Sequence, residues 1–102
     1  MVIPAGINMM PPIHPGEILR EDLEDCGLTP QAMASALCVS PDHLMSVLGG
    51  QCALTADLAL RLARYFGTSA EYWLNLQSAY ELGCARQAHG ARIMQEVRPR
   101  DG

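Results

Sequence analysis

Ser40, Asp42, His43 and Ser46 are spaced so that a helix starting at Pro41 presents them near its N-terminal end, with Gln51 just beyond it. Each of these polar side chains can meet a base edge. Serine serves any base, aspartate accepts from the cytosine amino group, and histidine donates to guanine. Gln31 precedes them and can bond a phosphate oxygen while a helix N-terminus adds backbone donors. None offers the bidentate arginine–guanine pair, which gives about 1–3 kcal/mol of discrimination. Asp42 works against phosphate. The candidate base-reading set is therefore Gln31, Ser40, Pro41, Asp42, His43, Ser46 and Gln51.

Other chemistry is sparse. His14, His43 and His89 lie in three separate segments, and no nucleophile–base pair, carboxylate dyad or phosphate loop is suggested by spacing. The chain does not read as an enzyme. Cys26, Cys38, Cys52 and Cys84 stand alone with no C-x-x-C pair, which fits neither a zinc module nor a redox motif. They are expected to be buried thiols packing as small hydrophobes. No metal and no cofactor is expected.

The elements that must position these residues are all helical. A first helix should begin near Pro15 and end at Gly27, with Ile18, Leu19, Leu23 and Cys26 on one face. Its other face holds Glu17, Glu21, Asp22, Glu24 and Asp25. Thr29-Pro30 caps and starts a second helix with Met33, Ala34 and Leu37 inward. Cys38-Val39 makes a turn in which Val39 should be the buried anchor. Ser40-Pro41 starts a third helix with Leu44, Val47 and Leu48 inward, stopped by Gly49-Gly50. Residues 29–50 thus form a helix-turn-helix, a device that places a helix in the DNA major groove.

Thr55 caps a fourth helix with Leu58, Ala59, Leu62 and Ala63 inward, ending at Gly67. A fifth starts near Ala70 and is apolar over more than one face. Trp73, Leu76 and Tyr80 follow one line, while Tyr72, Leu76 and Ala79 follow another. A domain of this size buries one such stripe, so Tyr72, Trp73, Leu76 and Tyr80 are expected at a dimer interface. The organisation is an extended arm over 1–13, a helical domain over 14–84, and a polar, arginine-containing tail over 85–102 that should fray or continue as a weak helix. Met9, Met10 and Ile13 of the arm could pack on the domain or on a partner.

A length of 102 residues suits one domain, and 49% hydrophobic with 18% charged residues is globular. No apolar run approaches the ~20 residues of a membrane span, and the start lacks the pattern of a secretory signal. A cytoplasmic protein with no membrane contact is expected. The net charge of −4 is uneven. Residues 1–84 hold three arginines against nine acids, and residues 85–102 hold Arg86, Arg92, Arg98 and Arg100 against two acids. There is no lysine. DNA affinity comes largely from neutralised phosphates, so the acidic body is a poor polyelectrolyte partner unless its few arginines are well placed.

HPGEILREDLEDCGL at 14–28 and LTADLALRLARYFGTSAEYWLNLQSAYEL at 54–82 resemble the HigA/VapI group of antitoxins within the Cro/phage-repressor-like helix-turn-helix class. HPGEIL, ALRLARYFGTS and YWLNLQ carry the resemblance, which covers about residues 14–84. It implies an all-α, five-helix, lambda-repressor-like domain. It also implies a homodimeric repressor that binds its own double-stranded DNA operator, and a partner in a small toxin, usually an mRNA-cleaving nuclease. Such a basic toxin could dock on Glu17, Glu21, Glu24 and Asp25. The chain departs from the group where members commonly carry arginine or asparagine; here stand Pro41, Asp42, His43 and Ser46. Cys38 replaces a glycine common in the turn, at a cost of about 1 kcal/mol if its φ is positive. The alternatives are a regulator without a toxin, or a protein-interaction module that has lost DNA binding.

Overall fold

The computed structural model describes residues 11–100. Within them the chain forms five α-helices and no strand: α1 Pro15–Cys26, α2 Pro30–Leu37, α3 Pro41–Leu48, α4 Ala56–Phe66 and α5 Ala70–Glu96. Every start has a side-chain cap. Thr29, Ser40, Thr55 and Ser69 accept from the third backbone N–H beyond them. At α1 the cap is His14, whose Nδ1 accepts from Gly16 N at 2.9 Å. Proline at the first position of α1, α2 and α3 presets φ where no intrahelical donor is needed. Gly27 and Gly67 close α1 and α4 in the left-handed conformation.

The core is assembled from all five helices. Leu19 and Leu23 of α1, Met33, Ala34 and Leu37 of α2, and Leu44, Val47 and Leu48 of α3 meet Leu58, Ala59 and Leu62 of α4. Leu54 and Trp73 complete it. Trp73 is 1% exposed, its indole N–H donates to Thr68 Oγ1 at 3.2 Å, and Phe66 and Tyr72 flank its ring. Its place is the protomer's own interior, not the interface expected from sequence. Its ring fills the space where α5 closes on α4.

Four long-range ties hold the helices in register. Gly16 lies where α1 crosses α3, and a methyl group there would run into the Val47 carbonyl. Arg20 donates to the Leu48 carbonyl at 2.6 Å, bracing the end of α3. Arg61 donates to the carbonyls of Leu37 and Cys38 at the end of α2, and pairs with Asp57 at 2.6 Å. Buried Gln77 accepts from Leu54 N at 2.8 Å and donates to Glu81, tying the α3–α4 connection to α5. The sequence segments HPGEIL, ALRLARYFGTS and YWLNLQ supply Gly16, Arg61 and Gln77 respectively.

Several expectations change. Cys26, Cys38 and Cys52 are exposed and Cys84 is half-buried. Cys26 shares the helical face of Leu19 and Leu23, but α1 by then overruns the core and the thiol edges a surface groove. Val39 and Ala63 are half-buried, not enclosed. Of the two courses expected for residues 85–102, fraying or continued helix, the described residues follow the second as far as Glu96. α5 runs on to Glu96 through alanine, arginine and glutamine, all good helix formers, with Arg92 near Glu96 one turn on. Residues 85–96 leave the core almost entirely, and the molecule measures 52 × 26 × 25 Å. Of the arm, residues 1–10, with Met9 and Met10, lie outside the described residues. Pro12 rests on Gly83 of α5, while Ile13 is exposed. No described helix is long and apolar enough to cross a membrane.

Candidate nucleic-acid interface

The helix-turn-helix is built from α2, a tight turn and α3. α2 ends in a Schellman arrangement, with Cys38 N bonded to Ser35 O at 3.2 Å and Val39 N to Ala34 O at 3.0 Å. This geometry puts Cys38 at φ 58°, ψ 43°, the one non-glycine residue with positive φ among those described. Arg61 pins the carbonyls of the same turn from α4. Its hydrogen bond to Asp57 raises the guanidinium above its ordinary pKa. α3 packs by Leu44, Val47 and Leu48, which fixes its opposite side outward.

The sequence-selected residues divide by exposure. Gln31, Ser40, Pro41, Asp42 and Gln51 are exposed, and His43 and Ser46 are half-buried. Ser40 Oγ accepts from His43 N at 3.4 Å, which leaves its hydroxyl proton available for a ligand. Asp42 lies in the first turn of α3, where the helix dipole stabilises its carboxylate. Asp42 thus supports the helix and opposes phosphate. Ser46 offers more through its backbone than its side chain. Its carbonyl takes Gln51 N at 2.9 Å and Cys52 N at 3.3 Å, folding the 49–52 loop back onto α3.

Sequence reasoning missed Met45. It is 48% exposed and lies one turn after Asp42 on the outward side of α3. The signal was present, since Met45 falls outside the Leu44, Val47, Leu48 line, but polarity guided the choice. An exposed apolar side chain here suits a thymine methyl group. No arginine occurs in α2 or α3, and the two arginines nearest in the fold, Arg20 and Arg61, are engaged with carbonyl oxygens.

Of the residues expected at a dimer interface, Tyr72 is 44% exposed, while Leu76 and Tyr80 are half-buried. Tyr80 stacks edge-on against His14 at 4.8 Å. Its bond to Cys84 raises the phenol above its ordinary pKa. On the acidic side of α1, Glu17, Glu21, Glu24 and Asp25 are all exposed. Ile13, Glu17, Ile18, Arg20, Glu21 and Glu24 line a shallow depression there. No cluster of metal-ligating side chains occurs among the described residues.

The chain is similar to known proteins over most of its length. It is 56% identical over 88 residues to virulence-associated protein I of Dichelobacter nodosus, covering 85% of this chain and 82% of that protein. It is 37% identical over 79 residues to antitoxin HigA-1 of Vibrio cholerae, covering 76% and 74% of the two. Its fold matches Pseudomonas aeruginosa antitoxin HigA, solved with the higBA promoter, at a TM-score of 0.84 and 47% identity over 86% of this chain and 97% of that one. No family profile matches. With identity and coverage of this extent, the chain belongs to the HigA/VapI-type antitoxin family of helix-turn-helix proteins.

Proposed function

We propose that this protein is a homodimeric transcriptional repressor of the antitoxin type, acting in the cytoplasm, binding its own operator and neutralising a cognate toxin. The carrying observation is the outward side of α3, with Asp42 and Met45 free and the helix N-terminus open, in a fold that its P. aeruginosa relative has with promoter DNA. Ser40, Asp42, His43, Met45 and Ser46 would face base edges, while Gln31 and Gln51 would meet the sugar–phosphate backbone. Pro41 sets the entry angle of α3. With no cation on α2 or α3, affinity depends on helix N-termini, uncharged donors and the doubling of contacts in a dimer. The toxin would dock on the acidic side of α1 at Glu17, Glu21, Glu24 and Asp25.

The test is a gel shift of the full chain on its own upstream DNA across a salt series. A sequence-selective complex with a shallow salt slope is expected, since few phosphates are neutralised. Absence of any shift would favour the second reading, a protein-interaction module on this scaffold, which the lack of cations on α2 and α3 supports. For the toxin, co-purification with the product of the neighbouring gene at rising salt is expected to weaken. Salt-insensitive binding would move the contact off the acidic side of α1.

A further inference from the structure

His14 and Arg20 of the α1 region line one cavity of about 280 Å³ with Leu48, Gly49 and Gly50 at the end of α3 and Tyr80 of α5. His14 is 6% exposed, and its ring is set between Gly16, Gly50 and the edge-on ring of Tyr80. Because Nδ1 accepts from Gly16 N at 2.9 Å, the neutral ring carries its proton on Nε2. That N–H has no partner among the described residues. No fully buried side-chain nitrogen is left unpaired there, so the N–H is open to solvent. Arg20 is exposed and spends one edge of its guanidinium on the Leu48 carbonyl at 2.6 Å. The other edge keeps two parallel N–H groups with no partner among the described residues. The carbonyl bond fixes the plane of the fork before any ligand arrives.

Two parallel N–H groups with a third donor beside them match the oxygens of a phosphate, which a guanidinium takes bidentately. Position selects the source of that phosphate. α3 has eight residues and is therefore about 12 Å long, close to the major groove's width of about 12 Å. With the first turn of α3 on base edges, its last turn reaches the groove wall, which is sugar and phosphate. The cavity lies at that end, and Gln51 follows Gly50 directly. Arg61, the other arginine near α3, is spent on Asp57 and two carbonyls. Glu17 lines the same cavity and opposes an anion, but its side chain is exposed and free to turn to solvent.

We propose that the open edge of Arg20 and the Nε2–H of His14 clamp one phosphodiester of the operator backbone at the end of α3, beside Gln51. This rests on the operator-binding reading above and supplies, from outside the helix-turn-helix, the cation that α2 and α3 lack. The residue that braces α3 is then also the residue that holds it to the backbone.

Gel shifts of the full chain on its own upstream DNA test it, with single phosphates replaced in turn by neutral methylphosphonate. Arg20→Gln should weaken binding to all sequences alike by about tenfold, and lower the salt slope by about one per protomer. One phosphate in each half-site should be special. Neutralising it should weaken the unmodified chain but leave Arg20→Gln unchanged, while losses at other phosphates add. His14→Asn keeps an acceptor for the cap of α1 and removes the Nε2–H. It should weaken binding by about fivefold at that same phosphate, with unfolding unchanged, and so reads the clamp without touching the brace on Leu48. No complex with the unmodified chain would overturn the operator reading and the clamp together. A selective complex whose salt slope survives Arg20→Gln would overturn the clamp alone. So would losses that add at every phosphate, since Arg20 would then act only through Leu48. A His14→Asn chain that binds as the unmodified one does would take His14 out of the clamp.

Discussion

Cys38 shows how one side chain can sit against its backbone. The Schellman turn that ends α2 demands a left-handed residue, and cysteine meets that demand with a strained Cβ. Cys38→Gly should raise stability by about 0.5–1 kcal/mol, read as a higher urea midpoint with an unchanged slope. Asp22 carries a different conflict. Burial first, and Asp25 second, raise its carboxyl above the ordinary 3.8. The folded chain therefore holds that proton more tightly than the unfolded chain. The favourable contribution is present below 3.8 and is lost as pH rises through the raised value. Asp22→Asn should accordingly raise the melting temperature at pH 7, and the gain should fade as pH falls toward 3.8. A gain that is constant with pH would show that the charge on Asp22 is not the cause.

Helices were legible where their signals are local. Thr29-Pro30, Ser40-Pro41, Thr55 and Ser69 mark starts, and Gly27 and Gly67 mark ends, because a cap reads only a few residues of chain. The inward lines of α2 and α3 were legible for the same reason. The ties between helices were not. Arg20, Arg61 and Gln77 bond backbone groups 23 to 28 residues away, and no spacing rule announces a carbonyl as a partner. At the candidate interface, polar residue type picked out the exposed residues but passed over Met45, whose exposure follows from the helix face it occupies. Gly16 is the sharpest case of a hidden constraint. It reads as an ordinary first-turn residue, yet it sets the distance between α1 and α3. Gly16→Ala should cost about 3 kcal/mol by thermal unfolding, because backbone on one helix must move away from backbone on the other. It should also weaken operator binding, since α3 is the element displaced.

Across the whole molecule, α5 serves two regions. Its first half completes the core through Trp73 and Gln77, and its second half stands clear of it. The chain's surplus of arginine lies in that free half and beyond, while its surplus of acid lies on α1. That imbalance was legible from sequence, but the continuity of α5 that carries Arg86 and Arg92 clear of the core was not.

Trp73 is the chain's one tryptophan, and it lies on the floor of the groove beside Tyr72. The molecule therefore carries its own optical gauge at the point where α5 closes on the rest of the core. Emission should be blue-shifted in the folded protein and should move to the red on unfolding, as water reaches the indole. One indole would then report the closing of the core, with no label attached.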